Sequence, residues 1–108
     1  MAAIERLSIS NPSANANTVL FTSDGAYLMS VIVTNKSQTD NALFSVWIAP
    51  LGNDAAGGRG YVAASLPLVV SNTYETIRFA VNSTDVVRVE ASTANLSFTA
   101  QGIDQTSI

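Results

Sequence analysis

Apolar and polar residues alternate along this chain in short runs, and turn-forming residues interrupt them every ~8–12 positions. The period is that of a strand, and no long run repeats at the helical spacing. The runs fall at 4–10, 18–22, 26–34, 42–49, 61–65, 66–70, 74–81, 86–91 and 96–101. Run 26–34 is the longest. It sets Tyr27, Met29, Val31 and Val33 on one face against Leu28, Ser30, Ile32 and Thr34 on the other, which suits a central strand. In 42–49, Phe44, Val46 and Ile48 oppose Leu43, Ser45 and Trp47. In 74–81, Ile77, Phe79 and Val81 point inward, against Thr76, Arg78 and Ala80. About eight short strands with even turn spacing predict a single all-β domain over 1–108, an antiparallel β-sandwich of Ig-like or jelly-roll type. A small closed barrel is the competing architecture.

The connections add detail. Ser23-Asp24-Gly25 reads as a tight hairpin turn, because Asp-Gly supplies the positive φ such turns need. Segment 51–60 carries Gly52, Gly57, Gly58 and Gly60 and must bend sharply or move. Pro67 confines its run to a sheet edge or a bend. The first run ends in a free N-terminus and can serve as an arm over 1–10, with Ile4, Leu7 and Ile9 as contact residues. A short polar tail follows at 103–108. Trp47 lies out of phase with Phe44, Val46 and Ile48. It is either core on the opposite face of a central strand or an exposed anchor for a partner or sugar, and the high average burial of Trp favours core. Arg59 and Tyr61 flank the glycine segment, and both residue types are common interface anchors.

Composition narrows the chemistry. The 108 residues include five Lys+Arg and eight Asp+Glu, a formal charge of −3, with no Cys and no His. The two zeros exclude disulfides, a thiolate nucleophile, Cys or His metal ligation and any mechanism that needs a histidine base. Ser, Thr and Asn number 32, so the surface is polar but neutral. With a mean hydropathy of +0.27, such a surface suits a protein partly covered by neighbours, since interface cores are depleted of charge. The five basic residues do not cluster, which argues against a nucleic-acid partner. No apolar run is long enough to span a membrane as a helix, and the start MAAIERLSIS lacks the pattern of a secretory leader, so synthesis in the cytoplasm is expected. No carboxylate pair shows a catalytic spacing, Gly57-Gly58-Arg59-Gly60 lacks the residues of a phosphate loop, and Asn53-Asp54 lacks the spacing of a calcium loop. The expectation is a non-enzymatic protein with no cofactor and no metal.

Three phrases carry a resemblance: ISNPSANANTVLFT, VIVTNKSQTDNALFSVWIAPLG and TDVVRVEASTANLSFTAQGID. Together they resemble small β-sandwich virion structural proteins of tailed bacteriophages, including cyanophages. The chain departs from that pattern at Ser23-Asp24-Gly25-Ala26 and in its glycine-rich 52–60 segment. The resemblance implies a protein of the virion that contacts the major capsid protein or other virion proteins. Its role would be a capsid decoration or cement protein at capsomer junctions, or else a tail, baseplate or fibre module. It also implies a homo-oligomer, with a trimer favoured.

Overall fold

The computed structural model describes residues 3–105. Among the described residues nine strands form: β1 (Glu5–Ser10), β2 (Thr18–Thr22), β3 (Tyr27–Asn35), β4 (Ala42–Ala49), β5 (Gly60–Leu68), β6 (Thr73–Glu75), β7 (Phe79–Val81), β8 (Val86–Ala91) and β9 (Leu96–Asp104). They make two antiparallel sheets. The first runs β1-β9-β3-β6, with β7 also on β3, and the second runs β2-β8-β4-β5. Strands β6 and β7 pair with successive stretches of β3, so they act as one interrupted strand. Counted that way, eight strands alternate between two sheets in the order 1-8-3-6 and 2-7-4-5. That is the order of a jelly roll. Each sheet keeps two edges, so the barrel alternative falls away.

The core lies between the sheets and comes from the alternation that the sequence shows. Met29, Val31, Val33, Leu96, Phe98 and Ala100 point inward from the first sheet, and Leu20, Phe44, Val46, Val87, Val89 and Ala91 from the second. Phe44 bridges the two layers, with its ring 6.3 Å from Phe98 and 5.6 Å from Tyr74. Strands β3 and β9 pair along nine consecutive positions and carry the first sheet. They approach so closely at Gly102 that a Cβ there would sit 2.6 Å from the Leu28 carbonyl oxygen and 2.8 Å from the Met29 Cβ.

Several expectations change. Ser23-Asp24-Gly25 is not a hairpin: β2 pairs with β8 and β3 with β9, so this turn carries the chain from one sheet to the other. The expected 74–81 strand breaks. Two β3 residues, Ser30 and Val31, face three residues, Thr76 to Arg78, which makes a bulge. The extra residue reverses the phase. Thr76 turns inward, its hydroxyl accepting the Val31 N–H at 2.9 Å, while Ile77 is 74% exposed. The runs 61–65 and 66–70 fuse into β5, with Ser65 at φ 48° beside a register shift and Pro67 on a sheet edge. The expected arm is instead an edge strand. Residues 5–10 pair with β9, because their alternation lets Leu7 pack on the core. In the expected tail, Ile103 and Asp104 complete β9. The first two residues of the arm and the last three of the tail lie outside the described residues.

The close approach at Gly102 gives a direct test. Gly102→Ala forces β3 and β9 apart and lowers stability by about 1–3 kcal/mol, read as a lower urea midpoint. An unchanged midpoint would show that the two strands separate at no cost.

Candidate functional site

One row of side chains crosses the outer face of the second sheet: Val19 on β2, Arg88 on β8, Trp47 on β4 and Tyr61 on β5, each opposite the next in register. Central strand β4 is therefore apolar on both faces. Its inner face meets the other sheet, and its outer face carries an indole that needs both a cover and an acceptor for its N–H. Segment 50–60 supplies both. Single 3₁₀ turns at Pro50–Gly52 and Ala56–Gly58 fold it back over the sheet. Gly52 takes φ 78°, a conformation that favours glycine.

Asp54 is the hub. Its Oδ1 accepts the Trp47 indole N–H at 2.7 Å and the Arg59 Nε–H at 3.0 Å. Its Oδ2 accepts from Asn17 Nδ2 at 2.6 Å and from Arg59 Nη2 at 3.1 Å. The Arg59 guanidinium is thus held against the carboxylate edge-on, and its Cζ lies 4.4 Å from the Trp47 ring centroid. Arg59 Nη1 also donates to the Tyr61 hydroxyl at 3.1 Å. On the other side, Arg88 Nε stands 3.9 Å from Asp54 Oδ2, and Arg88 Nη1 donates to Asn17 Oδ1 at 3.0 Å. The cluster draws on all four strands of the sheet or their flanks. Trp47 ends up 1% exposed beneath it.

The electrostatics follow from these contacts. Burial pushes the Asp54 pKa up, but hydrogen bonds from Trp47, Asn17 and Arg59 and the charge of Arg59 outweigh it, so the carboxyl stays below its ordinary value. A carboxylate with both oxygens occupied by fixed donors is a poor general base. It holds the segment down. Other carboxylates act in the same way. Asp85 accepts the backbone N–H of Leu51 and of Asn82. Asp24 accepts the Tyr27 hydroxyl at 2.8 Å, and that hydrogen bond, with desolvation and nearby negative charge, pushes the Tyr27 pKa up to about 12. Among the described residues no group of three or more His, Cys, Asp or Glu could hold a metal ion.

The structure brings together three of the six residues singled out as contact candidates. Trp47, Arg59 and Tyr61 form one cluster, but only Tyr61 offers a large exposed surface, at 49%. Trp47 is sealed, as its core reading expects. Arg59 is mostly covered, its side chain 20% exposed. Ile4 and Ile9 lie on the opposite side of the molecule, exposed by 57% and 52%, whereas Leu7 is turned to the core. Asp54 itself was not singled out from the sequence. The available signal was a buried indole followed seven residues later by a carboxylate, inside a segment that had to bend. Searched against known proteins, the chain matches no family model and no curated protein.

Removing the hub charge should be visible in solution. Asp54→Ala leaves the indole N–H without its acceptor and costs about 1–3 kcal/mol in a denaturant titration. Because the native pKa is depressed, the carboxylate's contribution is full above the unfolded value near ~4 and fades as pH falls through the native value. The stability gap between wild type and Asp54→Asn therefore narrows below about pH 4. A gap that stays constant on acidification would contradict the depressed pKa.

Proposed function

We propose that the chain is a non-enzymatic structural protein of a tailed-phage particle, and specifically a capsid cement protein that binds the major capsid protein across capsomer junctions. The observation that carries this reading is the latched 50–60 segment. It is pinned from beneath by Asp54, and it and the strand that follows present Leu51, 78% exposed, and Tyr61 to solvent. A segment already fixed in one conformation loses little entropy on binding, so modest contacts convert efficiently into affinity. A cement protein needs that economy, because each copy adds a small contact and many copies act together.

Three further features support the reading. The strand and turn phrases resemble phage virion proteins over most of the chain. The carboxylates of Asp54, Asp85 and Asp24 are engaged in holding turns and strands. The surface is neutral and rich in hydroxyls and amides, which lets it meet a partner without desolvating many charges. The jelly roll does not by itself carry the assignment, since that architecture hosts many functions.

Stoichiometry is the decisive test. Quantitative mass spectrometry of purified particles should give a copy number near that of the major capsid protein, or a simple fraction of it. A handful to a few dozen copies per particle would overturn the cement role in favour of a tail, baseplate or fibre module. Absence from particles would overturn the virion reading altogether.

A further inference from the structure

Beside the sealed row, the outer face of the second sheet carries a polar hollow. Two residues along from Trp47 and Arg88, Ser45 on β4 lies directly opposite Glu90 on β8. Both point outward, because their neighbours Phe44, Val46, Val89 and Ala91 point to the core. Next to Ser45 the register of β5 shifts. Phe44 faces Leu66 and Val46 faces Ala63, so two residues, Ala64 and Ser65, oppose one. The bulge leaves the Ser65 N–H to Ser45 Oγ, to which it donates at 2.9 Å. Further along, the Leu43 N–H donates to Ser92 Oγ at 2.9 Å. Asn15, at φ 58°, closes the margin with its N–H on the Ala91 carbonyl at 2.7 Å. The result is a recess of about 150 Å³ lined by Asn15, Leu43, Ser45, Ser65, Glu90 and Ser92.

We propose that this recess is a binding site for a neutral hexopyranose ring. Its free groups are of both kinds, acceptor and donor. Glu90 is half-buried and makes no hydrogen bond or ion pair among the described residues. By contrast, Asp24, Asp54, Glu75 and Asp85 all accept hydrogen bonds. Glu90 thus offers two acceptor oxygens. The Ser45 and Ser92 hydroxyls already accept from backbone N–H groups, so each offers its proton. The Ser65 hydroxyl and the Asn15 amide also lack a partner among the described residues. An occupant must therefore donate to Glu90 and accept from the serines. An ammonium or guanidinium group only donates, and an anion only accepts, whereas a hydroxyl does both. Charge points the same way. Arg59 and Arg88 balance Asp54 and Glu90 on this face, so no surplus selects an ion. A pyranose brings adjacent hydroxyls, which can donate to the two oxygens of one carboxylate, and an apolar C–H face. Leu43, 49% exposed, supplies a wall for that face. The volume is below the roughly 300 Å³ at which drug-sized sites begin, which limits the occupant to a single ring. None of the lining residues belongs to the latched segment, and the site holds whether or not the chain is a cement protein.

Proton–nitrogen NMR of the full, isotopically labelled chain tests this. The probes are the methyl glycosides of glucose, galactose, mannose and N-acetylglucosamine, added separately. At least one should shift the amide signals of Ser45, Ser65, Glu90 and Ser92 saturably. Its Kd should be of about millimolar order, the strength that so few atoms provide. Signals of Leu28 and Gln101, on the other sheet, should stay in place. Glu90→Gln should weaken that binding about fivefold or more, because a charged acceptor becomes a neutral one. Glu90 holds nothing within the described residues, so unchanged melting separates this loss from misfolding. Binding of none of the glycosides would overturn the proposal, and so would glycoside binding indifferent to Glu90→Gln. Shifts at these residues with Nα-acetyl-lysine amide but with no glycoside would also overturn it, and would mark a docking site for basic side chains instead.

Discussion

Strand β4 is apolar on both faces, and much of the second sheet follows from that constraint. Phe44 and Val46 are covered by the other sheet, but Trp47 faces away from it. An indole on an outer face loses the benefit of burial unless something lies over it, and a cover that leaves its N–H unpaired costs more than it contributes. Segment 50–60 meets both demands with one carboxylate. The bends of that segment, the stacking of Arg59, the reach of Asn17 and the placement of Arg88 can all be derived from the need to hold Asp54 over Trp47.

The two broad faces therefore differ in physical character. On the outer face of the second sheet the large aromatic is sealed and Asp54 is paired with Arg59, while Glu90 on β8 makes no ion pair among the described residues. What that face shows to solvent is a rigid edge with Tyr61 and Leu51. The face of the first sheet is unfinished. Its aliphatic residues remain partly exposed, and among the described residues Arg6, Glu75 and Arg78 make no ion pair. Low net charge suits a surface that meets a partner, because wide neutral surfaces are cheaper to desolvate than charged ones.

The sandwich itself was legible in the sequence. Runs such as 42–49 and 86–91 alternate so cleanly that their strand bounds match the structure, and Val87, Val89, Phe44 and Val46 fall inward as expected. Strand order was not legible, because alternation says which face is buried and nothing about which strand lies alongside. The 23–25 turn shows the consequence: its residues suit a hairpin, yet its flanking strands pair elsewhere. Phase failed only at Thr76 and Ile77, where a bulge adds a residue and leaves little local trace; Phe79 and Val81 beyond it point inward as expected. Of the site, the sequence marked Trp47, Arg59 and Tyr61 but not Asp54. A hub that joins Asn17 to Arg88 is a product of sheet register, which no single stretch of chain encodes.

Exchange of the single tryptophan indole proton with D₂O, followed by proton NMR at neutral pH, tests the latch most directly. If Asp54 and the folded segment seal Trp47, the resonance persists far longer than that of a free indole and is lost on the timescale of large-scale opening of the domain. Loss of the signal at the rate of an exposed indole, in a chain that remains folded, would mean that the cover is open and that the outer face of the second sheet is not closed as described.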